Sequence, residues 1–489
     1  MNKNKPTHKD LKEFREFALS FPEAAEEFPF GHSVIKINKK ALIEQKGTLM
    51  KLQLCKVHQA FHNAHNVFLA SMAVISAGAS LAFPQQPKTK TQSNTVNKAL
   101  PEWPQWGGPQ RNFKAEVNVA LAASWPENGP RHLWRRALGE GHSTILVDNG
   151  KLYTMYSQGE RETVIALDAA TGKTIWEHTY ESPKKGLDLE YGSGPHATPL
   201  IVGDLLYTAG ATAKLHALNK QTGKVVWSHD LWKEFGGTEM DRGYSCSPLA
   251  YKNTVIVTVG GDGQALMAFD QKNGSVVWKK QDFQNSPASP TLITVDGEDQ
   301  LVAFMANEIA GLNPNNGDLL WSHPHKTSWG LNISTPVWGE DNLLFCSSAY
   351  GTGSRALQLT RMNGKTAAKE VWTNNKMHVH FGTAIRAGDY IYGSSGDFGP
   401  CFFTAIEAKT GKILWQNRGL ARASFVYADG KFIILDEDGH LALATATPEE
   451  LKVHTKVDLL SSKAWTAPTL AGKKLYVRDR KEIVALELD

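Results

Sequence analysis

The sequence has 489 residues, a formal net charge of +4, 21% charged residues and 41% hydrophobic residues. This composition excludes a disordered polyelectrolyte and is typical of a globular chain. The chain has 9% aromatic residues, 42 Gly and 14 Trp, which suits many short strands joined by tight turns. Length alone decides little about the number of domains, because some all-β folds run long as single units.

The first 49 residues differ in character from the rest of the chain. Residues 11–46 open with LKEFREFALSFPEAAEEFPFGHSVIKINKK, which resembles the opening of the MmcQ/YjbR family, a small α/β DNA-binding-like domain. Only about the first third of such a domain would be present, and a fragment of that size cannot bury a core alone. We therefore interpret residues 1–49 as a fused fragment of this family or as a misassigned upstream reading frame, with Met50 as the true translation start.

An uncharged apolar stretch follows at residues 67–82, VFLASMAVISAGASLA. It is too short for a comfortable membrane span and ends in the small-x-small pattern that signal peptidase reads. A buried core helix is the alternative, but Pro84 and a polar run end the stretch sharply. Residues 50–82 are therefore predicted to be a signal peptide that directs export to the periplasm or outside the cell. Phe83 stands where a lipoprotein would need Cys.

The Pro, Gln, Thr and Lys rich residues 83–103 are predicted to be a flexible linker. Residues 1–82 hold 11 of the 53 Lys and Arg and 7 of the 49 Asp and Glu, which leaves 42 of each beyond them. This balance argues against a nucleic acid partner, because neutralising phosphates needs a basic face. We expect a monomer with no membrane span after signal cleavage.

Cys246, Cys346 and Cys401 are predicted to be buried free thiols, with one disulfide as the alternative.

One unit recurs from residue 104 onward: an alternating apolar strand, a tight turn with Gly, and a strand that carries Trp four residues after the Gly. The copies are VIALDAATGKTIW, LHALNKQTGKVVW, LMAFDQKNGSVVW, IAGLNPNNGDLLW, FTAIEAKTGKILW and the looser LQLTRMNGKTAAKEVW. This pattern is the signal for a β-hairpin. A large Trp at a fixed place packs between neighbouring sheets, so these tryptophans are predicted to be structural. The set is Trp134, Trp176, Trp227, Trp278, Trp321, Trp372 and Trp415.

The spacing of the repeats predicts the fold. Successive tryptophans lie 42 to 51 residues apart, which matches propeller blades of four strands. Eight copies of the third strand occur, and the last, Ile483 to Glu487, has no fourth strand after it. The strand around Trp134 has no three strands before it. The sequence therefore predicts an all-β, eight-bladed β-propeller of four-stranded antiparallel blades, with the last blade closed by an N-terminal strand.

Residues 104–489 resemble the PQQ-like β-propeller repeat proteins. The resemblance rests on the repeats and on WPQWGGPQRN, GPHATPL and RGYSCSPL, and it spans nearly the whole chain after the signal peptide. These proteins include quinoprotein dehydrogenases and the lipoprotein that assists outer-membrane β-barrel assembly. WD-repeat propellers are disfavoured, because no Trp-Asp dipeptide recurs.

Residues just before the first strand of each blade ring one mouth of a propeller's central channel. The mouth is predicted to be rich in imidazoles, cations, amides and aromatics, a set that suits an anionic or sugar-like ligand. A solvated channel rim is the alternative. No metal site is predicted, because His378 and His380 are the one closely spaced pair and three ligands are needed. The predicted ligand-binding residues are His142, His196, Arg242, Tyr244, Asn285, Asn332, His378, His380, Arg422 and Trp465.

No catalytic residue is predicted. The resemblance implies, for a true quinoprotein dehydrogenase, a vicinal Cys pair over the quinone PQQ and a Ca²⁺ site of Glu, Asn and Asp. This chain has no Cys-Cys, and Glu140, Asp241, Asn285 and Asn332 do not map onto those ligands. The cofactor is therefore left open: binding of PQQ and Ca²⁺ would require sequence motifs that are not found in this chain.

Three functions follow from the sequence. The first is a non-catalytic periplasmic binding or scaffold propeller, with a protein, small-molecule or sugar partner at its mouth. The second is a PQQ-dependent alcohol or sugar dehydrogenase that has departed from the usual motifs. The third is a carbohydrate-active or ligand-sensing propeller. The absence of catalytic motifs favours the first, because a fold alone does not imply chemistry.

Overall fold

A computed structural model describes residues 103–117, 120–190, 192–397, 399–420 and 422–489, together with strand backbone at 24–27, 33–37, 40–46 and 49–52. The chain divides into two compact units, Met1–Ala99 and Leu100–Asp489. The predicted signal peptide beyond residue 52 and the predicted linker up to residue 102 lie outside the described residues.

The described part of the first unit is an antiparallel sheet in which each strand pairs with the next along the chain. Such an order needs only short connections between strands. Its strands are β1 (Ala24–Glu27), β2 (Ser33–Ile37), β3 (Lys40–Lys46) and β4 (Leu49–Leu52).

The second unit is an eight-bladed β-propeller, which confirms the predicted fold. Each blade is a four-stranded antiparallel sheet, and the blades are numbered here in chain order. Blade 1 contains β6 (Leu146–Asp148), β7 (Lys151–Gln158), β8 (Arg161–Asp168) and β9 (Thr174–Glu181), and blade 2 contains β10 (Leu200–Val202), β11 (Leu205–Ala209), β12 (Lys214–Asn219) and β13 (Val225–Asp230). Blade 3 contains β14 (Leu249–Tyr251), β15 (Thr254–Thr258), β16 (Leu266–Asp270) and β17 (Val276–Lys280), and blade 4 contains β18 (Thr291–Val295), β19 (Glu298–Phe304), β20 (Glu308–Leu312) and β21 (Leu319–Pro324).

Blades 5 to 8 complete the ring, and the helix α1 (Leu231–Phe235) follows β13. Blade 5 contains β22 (Val337–Trp338), β23 (Leu343–Ser348), β24 (Gly353–Met362) and β25 (Lys365–Asn374), and blade 6 contains β26 (Ile385–Ala387), β27 (Tyr390–Ser395), β28 (Phe402–Glu407) and β29 (Ile413–Asn417). Blade 7 contains β30 (Ala423–Ala428), β31 (Lys431–Asp436), β32 (His440–Ala446) and β33 (Leu451–Asp458), and blade 8 contains β34 (Thr469–Ala471), β35 (Lys474–Arg478), β36 (Glu482–Glu487) and β5 (Arg131–Ala137).

The apolar content of each strand follows its place in the blade. The middle strands β7 and β8 are buried over most of their length, whereas the outer strand β9 alternates between exposed and half-buried residues. Middle strands lie between the faces of two neighbouring blades, so both of their faces need apolar residues. The outer strand has one sheet neighbour and faces water, which permits its polar composition.

Blade 8 joins the two ends of the propeller. The strand β5, near the start, pairs antiparallel with β36, near the end, and places Trp134 opposite Ala485. An ion pair between Arg131 and Glu487 lies on the same two strands. The predicted closure by an N-terminal strand is confirmed. Closure removes the exposed edges that an open sheet would carry.

The Gly-x-x-x-Trp repeat couples each blade to the next. Trp176 of blade 1 donates its indole N–H to the Lys220 carbonyl of blade 2, 3.0 Å away. Its ring lies over Gly223, where an added Cβ would lie 2.5 Å from the ring. Gly223 also has a φ of +70°, so glycine is required there by both conformation and space. Equivalent indole bonds to the next blade are made by Trp134, Trp227, Trp278, Trp372 and Trp415.

The junction between blades 4 and 5 is built differently. Trp321 donates to the Gln300 side chain in its own blade at 2.8 Å, and Gln300 in turn donates to Thr366 of blade 5 at 2.7 Å. Arg361 of blade 5 pairs with Glu298 of blade 4 at 2.9 Å. Blade 5 has the loosest copy of the repeat and ten-residue outer strands, so a polar relay replaces the Trp–Gly contact there.

Residues 103–115 fill the centre of the ring. Trp103 exchanges backbone hydrogen bonds with Val147 on β6, and Ala115 donates to Tyr427 on β30. Between them Arg111, only 6% exposed, donates to the Pro248 and Pro290 carbonyls at 3.1 and 2.8 Å. Burial lowers the pKa of Arg111 to about 9. This segment therefore ties the inner strands of several blades together and occupies the channel.

Candidate functional site at the channel mouth

The ten predicted mouth residues divide into two groups in the structure. Tyr244 and Asn332 are 1% and 0% exposed and bond inside the protein, Tyr244 to the Thr258 carbonyl at 2.8 Å and Asn332 to the Met305 carbonyl at 2.7 Å. Asn285 is also buried. These three side chains hold loops together and are not presented to a ligand.

Two of the three predicted thiols, Cys246 and Cys346, are buried and free, and Cys401 is free and half-buried.

The remaining predicted residues lie in or beside a continuous array of aromatic rings. His380 stacks on Phe381 with ring centroids 3.8 Å apart, and Phe381 stacks on Trp465 at 4.1 Å. The array continues from Trp465 to His142 at 5.1 Å and from His142 to His196 at 5.6 Å. These residues precede the inner strands of blades 6, 8, 1 and 2, so the stack crosses the mouth.

Two further rings extend the array toward blade 5. The Tyr350 ring lies edge-on to His380 at 5.0 Å, and its hydroxyl hydrogen-bonds His380 Nε2 at 2.6 Å. Trp329 lies edge-on to Tyr350 at 4.9 Å. Aromatic pairs at such separations add to the stability that their buried area supplies. Seven rings therefore form one packed layer over the mouth, from Trp329 to His196.

A buried ion pair fixes the position of the layer. Arg422 donates to Glu437 Oε1 at 3.0 Å, with the two side chains 9% and 11% exposed. The second oxygen, Oε2, accepts the Trp465 indole N–H at 2.9 Å. Arg422 also donates to the Asp397 carbonyl, and the Asp397 carboxylate accepts the Tyr350 backbone N–H at 2.8 Å. Both carboxylates are thus engaged by the protein itself.

Two histidines of the layer, His196 and His380, are held neutral. Burial, reinforced by Arg422 and Arg242, lowers the pKa of His380 well below its ordinary value. Burial lowers the pKa of His196 to about 4, although its Nε2 lies 3.2 Å from the Arg242 carbonyl. A neutral imidazole packs against an aromatic ring without the cost of burying a charge. These imidazoles therefore serve as packing groups at neutral pH.

The outer part of the mouth is more polar. His378 donates from its Nε2 to the Asn375 carbonyl at 2.6 Å, and its Nδ1 lies 4.0 Å from Asp397. Arg242 pairs with Asp188 at 3.3 Å and reaches Glu190 at 4.0 Å. The predicted cations at this mouth therefore already have carboxylate partners.

The part of the mouth beside Arg422 and Trp465 has no room for PQQ. The cavity lined by His380, Phe381, Arg422 and Trp465 has a volume of about 10 Å³, room for one water at most, whereas ligand pockets span roughly 300–1,000 Å³. A calcium ion needs six to eight oxygen ligands. Among the described residues, no group of three or more His, Cys, Asp or Glu is placed to hold a metal.

The sequence prediction missed three rings of the layer and the carboxylate that fixes its position. Phe381 directly follows His380 but was not among the residues predicted for the mouth. Trp329, Tyr350 and Glu437 also lie outside that set. Of these four residues, a search for aromatic residues within two positions of the predicted rim would have found Phe381 alone.

The repeats match a known family. The family described as outer membrane protein assembly factor BamB, built of PQQ-like repeats, matches residues 120–187 and 160–417, more than half of the chain. The chain belongs to this family. The predicted PQQ-like β-propeller is confirmed by this match, whereas the resemblance of residues 11–46 to the MmcQ/YjbR family gains no support from the comparisons.

Curated relatives include both BamB proteins and dehydrogenases. BamB of Yersinia pestis is 21% identical over 320 residues, covering 61% of this chain and 76% of that protein. Quinohemoprotein alcohol dehydrogenase ADH IIB of Pseudomonas putida is 29% identical over 154 residues, 30% of this chain and 21% of that protein. An uncharacterized protein of Rickettsia prowazekii is 24% identical over 275 residues, with 54% and 62% covered. The chain thus spans less than two thirds of the last two relatives.

Solved structures show the same fold. BamB from Moraxella catarrhalis aligns with a TM-score of 0.52 at 16% identity, covering 73% of this chain and 99% of that chain. Quinohemoprotein alcohol dehydrogenase from Comamonas testosteroni aligns with a TM-score of 0.54 at 14% identity, covering 79% and 80%. Among the residues described for this BamB-family chain, none forms a helix long and apolar enough to cross a membrane.

Proposed function

We propose that this BamB-family propeller is a non-catalytic scaffold in the periplasm that binds proteins during assembly of outer-membrane β-barrel proteins. The proposal takes its assembly role from the family name and from relatives such as BamB of Yersinia pestis. The predicted signal peptide at residues 50–82 supports export.

The observation that carries the non-catalytic part of the proposal is the packed mouth. In a propeller the channel mouth is the natural place for a cofactor. Here seven rings cover it, and the cavity beside Arg422 and Trp465 measures about 10 Å³. From below, residues 103–115 occupy the channel. A scaffold needs a rigid ring rather than an open mouth, and both features stiffen the ring.

The alternative is a quinoprotein-like alcohol or sugar dehydrogenase. It draws on the match to quinohemoprotein alcohol dehydrogenase ADH IIB, which covers 21% of that enzyme. The mouth argues against it, because Glu437 and Asp397 are already bonded to Arg422, Trp465 and the Tyr350 backbone. A ligand-sensing role at the mouth meets the same obstacle of space.

The test is deletion of the gene in its native host, followed by quantitative mass spectrometry of the outer-membrane fraction. We expect at least a twofold fall in some β-barrel proteins, restored by the wild-type gene on a plasmid. Unchanged β-barrel content in the deletion strain would contradict the proposal. Loss of a PQQ-dependent, dye-coupled alcohol oxidation from the same strain would instead support the dehydrogenase.

A further inference from the structure

An open cleft lies beside the mouth, between blades 8 and 1. Its volume is about 1180 Å³. The floor is the segment Leu138–Glu140 that leads from β5 toward blade 1. One wall is the β35–β36 turn with Arg480 and Lys481, and the other holds the β7–β8 turn and Lys184, Lys185 and Leu189. None of the ten predicted mouth residues lines this cleft.

The cleft is strongly cationic. Its lining includes five basic residues and two carboxylates, an excess of three positive charges. The chain beyond residue 82 carries 42 basic and 42 acidic residues, because residues 1–82 hold 11 and 7 of the totals of 53 and 49. A local excess on a neutral protein attracts an anionic partner within about a Debye length and orients its approach. The basic residues are Arg136, Lys184, Lys185, Arg480 and Lys481, and the carboxylates are Glu140 and Glu160.

Hydrogen bonds at the base of the cleft fix one of these cations, Arg480. Arg480 donates to Glu140 at 2.8 Å, and Glu140 also accepts the Ser193 hydroxyl and backbone N–H at 2.8 and 3.1 Å. Burial alone would raise the pKa of Glu140, but the Ser193 bonds and Arg480 outweigh it and lower that pKa. Arg480 Nε has no hydrogen-bond partner among the described residues. This nitrogen is buried, and the bond to Glu140 holds the guanidinium at the base of the cleft.

Lys184 is held without a carboxylate partner in hydrogen-bond contact. Lys184 is buried, with 6% of the residue exposed. Its ammonium donates to the Ser182 and Gly159 carbonyls at 3.1 and 3.2 Å. An ammonium has three protons to donate, and these two bonds use two of them. Lys185 and Lys481 are exposed at the two walls. Four cations thus line a path from one wall to the other.

The cleft also offers apolar surface. Leu189 is 43% exposed, and Leu138 and Tyr156 line the same space. A small anion would use the cations and leave this surface unused. An open cleft with cations on both walls and apolar side chains beside them fits an extended chain whose acidic and apolar side chains alternate.

We propose that the cleft between blades 8 and 1 binds an extended acidic segment of a partner protein, with its carboxylates on Lys184, Lys185, Arg480 and Lys481 and its apolar side chains on Leu138, Tyr156 and Leu189. This inference deepens the proposed scaffold function and rests on it, because it names the chemistry of the protein that the scaffold would hold.

The direct test is fluorescence anisotropy with the full-length purified protein and a fluorescein-labelled octapeptide of alternating Glu and Leu. An otherwise identical peptide with Gln in place of Glu is the ligand control. We expect at least tenfold tighter binding of the acidic peptide, weakening as NaCl rises from 50 to 500 mM. Equal affinity for the two peptides would overturn the proposal. Tighter binding of a single-stranded oligonucleotide of equal charge would also overturn it, in favour of nucleic acid.

The matched variants reverse charge inside and outside the cleft. The pair Lys185→Glu with Lys481→Glu should raise the Kd for the acidic peptide at least tenfold. The pair Lys224→Glu with Lys272→Glu changes two exposed lysines on the outer turns of blades 2 and 3 and should change the Kd less than twofold. Equal losses from both pairs would show a diffuse field and contradict a defined site.

Complementation separates this inference from the proposed function. If deletion lowers β-barrel content and the Lys185→Glu/Lys481→Glu gene restores it fully, the cleft fails while the scaffold function stands. If deletion leaves β-barrel content unchanged although the wild-type protein binds the acidic peptide through the cleft, the assembly function fails while the binding site stands. Failure of the double variant to restore β-barrel content, with the Lys224→Glu/Lys272→Glu gene restoring it, supports both.

Discussion

The channel mouth and the cleft between blades 8 and 1 lie side by side and are built in opposite ways. A Cβ on Gly192 would lie 3.2 Å from Arg480 of the cleft and 3.4 Å from His142 of the mouth. At the mouth, carboxylates and aromatic rings bond to the protein itself, and the cavity beside Arg422 and Trp465 measures about 10 Å³. In the cleft, about 1180 Å³ is open and basic residues outnumber acidic ones.

The difference separates rigidity from recognition. Groups whose hydrogen bonds are satisfied inside the protein stabilise it, whereas charges left without partners at an open surface are available to a ligand. The same fold could hold a ligand on its axis only if the mouth were open. In this chain the rings at the mouth pack on one another, so substitutions at the mouth should change stability and substitutions in the cleft should change binding.

The largest effect should come from breaking the buried pair at the mouth. Glu437→Gln leaves Arg422 buried without its counter-charge, and removal of one partner of a buried pair costs about 3 kcal/mol. Chemical denaturation should show this fall in the free energy of unfolding. Glu487→Gln at the Arg131 pair, where Arg131 is 62% exposed, is the control and should cost under ~1 kcal/mol. Similar small losses in both variants would show that the mouth pair is not structural.

Removal of a ring from the layer should have a somewhat smaller effect. Phe381 contacts His380 and Trp465, and its truncation to Ala loses packing that we expect to cost about 2 kcal/mol, since Phe381 is half-buried. Met362→Ala at a 73% exposed turn is the control and should stay within about 0.5 kcal/mol. Thermal unfolding of the two variants measures the difference. A Phe381→Ala protein as stable as the control would mean that the layer is loose.

The neutral histidines predict a pH dependence. The pKa of His196 is about 4 in the folded protein, below the ordinary value of 6.5, so the unfolded chain binds its proton first as the pH falls. Stability is therefore full above pH ~6.5 and falls as the pH drops toward ~4, by about 1–2 kcal/mol for this half-buried group. His196→Gln should flatten the fall in unfolding free energy, and His132→Gln at an exposed position should not. A wild-type curve that rises toward pH 4 would contradict this account.

The smallest effect on stability should come from the cleft. Lys185→Glu with Lys481→Glu replaces two exposed side chains that have no ion pair among the described residues. We expect the free energy of unfolding to change by less than about 0.5 kcal/mol for each substitution. Urea denaturation of the double variant checks this. A loss as large as that of Glu437→Gln would mean that the cleft is structural and would end the contrast with the mouth.

The blades could be predicted because their contacts repeat. Each Gly-x-x-x-Trp unit places Trp of one blade over Gly of the next, as Trp176 does over Gly223, so one local rule recurs around the ring. The channel segment has no such repeat. Arg111 bonds to carbonyls 137 and 179 residues away, and such contacts leave no periodic trace in the sequence.

The mouth could be predicted only in part for the same reason. His380 and Trp465 were found from their distance to the inner strands, and both lie in the layer. Tyr244 occupies an equivalent position along the chain, yet its ring turns inward to Thr258. Spacing gives the position of a residue along a blade but does not give the side to which its side chain turns. The cleft combines four separate segments and had no signal of its own.

The most direct test of the central claim is calorimetric titration of the purified full-length protein with PQQ in the presence of Ca²⁺, followed by dye-coupled oxidation of alcohols and sugars. A closed mouth predicts no saturable heat and no turnover. Stoichiometric PQQ binding with turnover would contradict the account, because it would require the ring layer from Trp329 to His196 to open and admit a cofactor.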